Sequence, residues 1–193
     1  NSNKEINDAI EYGADFLMLP MIKSLNDLKK FIYEVSNRVP IIPLIETKES
    51  IDFLDKIILL DGINEVYIGL NDLSLSCGYK FMFEPLINGL LDEVANLLNT
   101  KGIIWGFGGI AKKGHGKLPA ENILGEHVRL GSRIVILSRS FHQAPKDLKE
   151  LLNKSDFENE IKKLEYIYQD WLKADSEALH ENHLIVKKLI NQF

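Results

Sequence analysis

Two carboxylates in this sequence stand at the ends of apolar runs, where a charge needs a purpose. Glu46 closes the run Ile41 to Ile45, and Asp72 follows the run Val66 to Leu70. In folds built from strand–helix repeats, ligands bind at the carboxyl ends of the strands. Two carboxylates one repeat apart can converge there. With water they suit a hard divalent cation such as Mg²⁺ or Mn²⁺, which takes oxygen ligands and keeps several waters. Such a cation can grip a 2-oxo acid and neutralise the charge of an enolate. The competing reading is helix capping, since either carboxylate could lie at a helix N-terminus, where the dipole favours it. Spacing alone leaves both open.

Three further features could contact a substrate. Gly106, Gly108 and Gly109 in "WGFGGIAKKGHGKLPAE" would let backbone N–H groups approach an anion, or merely make a tight turn. Gly108 and Gly109 are taken as the candidate anion contacts, with Arg139 in "VILSRSF". A guanidinium can fork onto a carboxylate or phosphate. The ordinary alternative for Arg139 is a salt bridge to Glu121 or Glu126. His115 and His127 are candidate acids or bases, though lone histidines are more often structural. His142, His180 and His183 read as surface residues, with no carboxylate motif to make a zinc site. Cys77 reads as a loop thiol without a base partner.

Elements that would position these residues follow from the hydrophobic pattern. Five short apolar runs recur at Phe16–Leu19, Ile41–Ile45, Val66–Leu70, Ile103–Phe107 and Ile134–Leu137. They lack in/out alternation, as parallel strands covered on both faces do. Helical stripes lie over Asn3–Tyr12, Ser24–Ser36, Thr47–Leu60 and Leu86–Asn99, and Gly13, Gly62, Gly102 and Gly131 follow the helices. Repeated strand–helix–strand units imply right-handed crossovers. Two α/β architectures fit: an open doubly wound sheet, or the C-terminal five βα units of a (β/α)8 TIM barrel, which needs about 250 residues when whole. The expected organisation is a partial barrel over 1–144 and a helical extension over 145–193. The tail's amphipathic stripe would pack on its own barrel or on a neighbouring subunit.

Bulk properties narrow the class. The chain is 45% hydrophobic and 26% charged with net charge −5, so no basic nucleic-acid surface is expected. No apolar run is long enough to span a membrane, no signal peptide is visible, and one cysteine fits a reducing cytoplasm.

The stretches "GADFLMLPMIKSLNDLKKF", "PLIETKESID" and "INEVYIGLNDLSLSCGY" together resemble the HpcH/HpaI aldolase and citrate lyase family of the pyruvate and phosphoenolpyruvate barrel superfamily. The resemblance runs over about residues 5 to 141, as strands four to eight of the family barrel. Its most specific points are Leu-Pro-Met, Ile-Glu-Thr and Gly-x-x-Asp-Leu. It implies the barrel rather than the open sheet, with Glu46 and Asp72 as ligands of a catalytic Mg or Mn ion. It also implies carbon–carbon cleavage or formation through a pyruvate-type or acetyl-CoA enolate, and a homo-oligomer. The family's enolate-stabilising arginine and catalytic histidine would precede Asn1. The last two strands depart from typical aldolases, as in a divergent subgroup, so the substrate could be an oxo acid that is sugar-linked or phosphorylated. Alternatives are a CoA-thioester lyase, a phosphoenolpyruvate-using transferase, or a non-catalytic oligomerisation module.

Overall fold

A computed structural model describes residues 2–141, 146–150 and 156–193. The expected surface position of His142 and the expected boundary at 144/145 lie outside the described residues.

The apolar runs form β1 (Leu17–Leu19), β2 (Ile41–Ile45), β3 (Glu65–Ile68), β4 (Ile104–Ile110) and β5 (Ile134–Leu137). They pair in parallel in the order β1-β2-β3-β4-β5. That order decides between the two architectures. A doubly wound sheet reverses its strand order at a switch point. Here each strand joins the next on the same side, so right-handed crossovers lay all the helices on one face. The sheet curls accordingly into a half-barrel.

Helices α1 (Asn3–Glu11) and α2 (Leu25–Val35) begin at Ser2 and Ser24, whose hydroxyls accept from the N3 amides of Glu5 and Asp27. α2 buries Leu28, Phe31 and Val35, the apolar stripe of its sequence. The single helix expected over 47–60 is instead two short ones, α3 (Lys48–Asp52) and α4 (Leu54–Ile57), separated at Phe53. An unexpected helix, α5 (Leu70–Cys77), follows β3. The strand stops at Ile68 because Gly69 turns the chain, and Leu70 enters the core from the helix instead. Cys77 therefore ends a helix, half-buried, rather than lying in a loop, and burial pushes its thiol up.

α6 (Leu90–Thr100) and α7 (Ala120–Leu130) complete the outer layer, and Gly131 ends α7 at φ 72°, a conformation that favours glycine. Two tail helices, α8 (Phe157–Trp171) and α9 (Ser176–Ile190), pack against α7. Gly125 makes this contact possible. A Cβ there would stand 2.5 Å from Asn182 Nδ2 and 3.0 Å from Trp171. Trp171 Nε1 donates to Glu121 O at 2.8 Å. Among the described residues no helix is long and apolar enough to cross a membrane.

Candidate functional site

Glu46 follows β2 directly, and its neighbour Thr47 caps α3. The side chain is buried, with 6% of the residue exposed. Its Oε1 accepts from the Met21 amide at 2.8 Å, and Met21 lies just past β1 at φ 52°. On the other side Glu46 rests on bare backbone. A Cβ on Gly69 would lie 2.9 Å from Glu46 Cβ and 3.0 Å from Oε2. The turns after three consecutive strands thus fix one carboxylate.

Asp72 lies in the first turn of α5, exposed, and near enough for its charge to act on that carboxylate. Burial pushes the Glu46 carboxyl above the usual carboxylate range, the negative charge of Asp72 adds to the rise, and the Met21 N–H opposes it. Among the described residues no lysine, arginine or histidine makes an ion pair with either. Two mutually repelling carboxylates without a counter-ion form a donor set that suits a hard cation completed by water. Among the described residues no group of three or more His, Cys, Asp and Glu could hold a metal.

The glycine run serves the sheet. The β4–β5 register shifts between Gly106 and Gly109. A Cβ on Gly106 would fall 2.1 Å from Ile134 O. The Tyr67 hydroxyl fills the irregularity, donating to Gly108 O and accepting from Ile136 N at 2.9 Å. Gly108 takes φ 62°, with Leu70 and Phe83 against the place of its missing side chain.

Arg139 is exposed just after β5. The carboxylate of Glu126, suggested as its partner, is taken instead by Arg129 Nε at 2.8 Å, His183 Nδ1 at 3.0 Å and Asn182 Nδ2 at 3.2 Å. His183 is therefore a half-buried contact between α9 and α7 rather than a free surface residue.

His127 is sealed in the core. Its ring stacks on Phe107 at 3.9 Å, and its Nδ1 meets Ser132 Oγ at 2.7 Å. Burial pulls its pKa down to about 3, so it holds no proton to exchange near neutral pH. His115 is exposed in the loop after β4. One residue of that loop gave no signal in the sequence reading. Lys112 is only 8% exposed, and burial is a property that a lysine code does not announce.

A half-barrel of βα units with an acidic pair at its strand ends defines a class, and comparison with known proteins narrows it. The HpcH/HpaI aldolase/citrate lyase family matches residues 1–84, a span that includes both Glu46 and Asp72 and stops before β4. That span is less than half of the chain and includes the three stretches that resemble the family. No functionally curated protein matches it. Among solved structures it is similar to an HpcH/HpaI aldolase from Desulfitobacterium hafniense, at 16% identity and a TM-score of 0.55, covering 72% of this chain and 62% of that one. It is also similar to RipC from Yersinia pestis, at 14% identity and TM-score 0.58, covering 86% and 69%. A citrate lyase from Burkholderia xenovorans matches at 13% and TM-score 0.53, covering 81% and 63%. At these identities the structures bear on fold. The chain spans under two thirds of the length of the first two structures it matches.

Proposed function

We propose that this protein acts as a divalent-metal-dependent carbon–carbon lyase or aldolase that works through a pyruvate-type enolate. The observation that carries the reading is the buried Glu46, clamped by the Met21 amide and repelled by Asp72, with no ion pair to a cation among the described residues. A divalent ion bound there, Mg²⁺ or Mn²⁺, would supply the positive charge that enolate chemistry needs. The chain's own residues do the positioning. Met21 N–H occupies Oε1 and Gly69 leaves room for Oε2, so the free oxygen of Glu46 has one direction. Asp72 brings a second oxygen donor from an exposed helical turn. Gly108 and Gly109, inside β4 near its carboxyl end, and Arg139, just after β5, are the proposed contacts for a substrate anion. The substrate is an oxo acid, sugar-linked or phosphorylated in one form of the proposal. The assembly is a homo-oligomer working in the cytoplasm.

The test is a calorimetric Mn²⁺ titration of the full-length protein and of Glu46→Gln and Asp72→Asn. Each variant should bind at least tenfold more weakly. Parent-like affinity in both would remove the site. Release of pyruvate or acetyl-CoA from candidate substrates then separates an aldolase from a CoA-thioester lyase.

A further inference from the structure

Segment 104–119 contains three lysines and no acidic residue. Lys113 and Lys117 are exposed, but Lys112 is not. It lies two residues past β4, with its amide donating to Ser140 Oγ at 3.2 Å. Ser140 Oγ in turn meets Ser138 Oγ at 2.9 Å, and the Ser138 amide donates to Ile110 O at 2.8 Å. These bonds tie the ends of β4 and β5 together and fix the backbone from which Lys112 projects.

Lysine is rarely covered to this degree unless a carboxylate meets it. Among the described residues no carboxylate does. Among the described residues Nζ makes no hydrogen bond or ion pair, and it stands over the Phe141 ring, 5.8 Å from its centroid. That contact offsets part of the cost of covering a cation. Three buried polar side-chain atoms among the described residues are both sealed and unpartnered: Glu121 Oε2, His127 Nε2 and Arg129 NH2. Lys112 Nζ is not one of them, so its tip keeps an opening. A covered stem with an open, unneutralised ammonium at a strand's carboxyl end is a prearranged anion contact. Little side-chain freedom remains to be lost when an anion arrives.

We infer that Lys112, its backbone held by Ser140 Oγ and its ammonium over the Phe141 ring, forms an oxyanion-binding subsite that takes a carboxylate or phosphate group of a small molecule. As a substrate contact it rests on the reading of the acidic pair as a metal site, but the anion binding itself does not require the metal.

The experiment titrates the full-length protein with inorganic phosphate and, separately, with acetate, in parallel with Lys112→Met. The parent should bind at least one of the two, and the preferred one identifies the group. Lys112→Met should weaken that binding at least tenfold while keeping the parent's melting temperature and Mn²⁺ affinity. In the parent, the same anion should protect Lys112 from acetic anhydride, read by mass spectrometry, and leave Lys113 and Lys117 reactive. This measurement stands even if the variant does not fold. If neither anion binds, or if binding and protection do not depend on Lys112, the inference is overturned. Anion binding without Mn²⁺ binding in the parent would sink the metal reading and leave the subsite standing.

Discussion

The Met21 amide and the Glu46 carboxylate are 2.8 Å apart, and Met21 reaches that position through a backbone at φ 52°. A methionine held in the left-handed region costs on the order of 1 kcal/mol, and such local strain is characteristic of places where a fold aims a group. Here it points an N–H across from the end of β1 to the end of β2.

Gly69 is the opposite jaw of that clamp. Gly69→Ala would put a methyl 2.9 Å from Glu46 Cβ and 3.0 Å from Oε2, although φ −82° suits alanine. Glu46 Cβ is fixed to its own backbone, so the turns after β2 and β3 must move apart and the carboxylate is displaced with them. Mn²⁺ affinity should fall at least tenfold, with an overpacking cost of about 1–3 kcal/mol in thermal unfolding. Unchanged affinity in calorimetry would mean that the orientation of Glu46 does not matter.

His127 should make stability depend on pH. Its folded pKa is about 3 against an ordinary 6.5, so the folded state keeps the ring neutral. Above the ordinary value neither state takes a proton and nothing is lost. As pH falls from there toward the folded value, the unfolded chain alone binds a proton, and stability drops by about 1.4 kcal/mol per pH unit. Urea unfolding at pH 7 and pH 5 should differ by about 2 kcal/mol from this source. His127→Phe, which keeps a ring against Phe107, should lose that component of the difference.

Docking of the tail should depend on one missing side chain. Gly125→Ala places a methyl against Asn182 and Trp171 on two different tail helices. Overpacking there should cost about 2 kcal/mol. The fluorescence of Trp171, whose indole N–H now reaches Glu121 O, should shift to the red, and 157–193 should become easier to proteolyse. A variant with parent-like fluorescence and cleavage would show that the contact yields without loss.

The strands were legible because parallel strands covered on both faces leave unbroken apolar runs, and Ile41–Ile45 and Ile134–Leu137 have the bounds those runs set. Helix α5 was hidden inside such a run, because Leu70 is apolar in either conformation and Gly69 alone marks the change. Glu46 could be singled out because a charge closing an apolar segment is conspicuous. Lys112 could not, since a lysine in a glycine-rich loop reads as solvated and only packing reveals its cover. The glycines after Trp105 were visible, but their use depends on Tyr67, a partner distant in sequence that no local pattern announces.

That tyrosine has a mechanical consequence. Its hydroxyl is bonded to both of the last two strands, while its own strand leads straight into the turn bearing Gly69 and Asp72. Displacement of the acidic rim is therefore transmitted to the serine- and lysine-bearing rim through a rigid aromatic strut, and the two halves of the mouth move as one body.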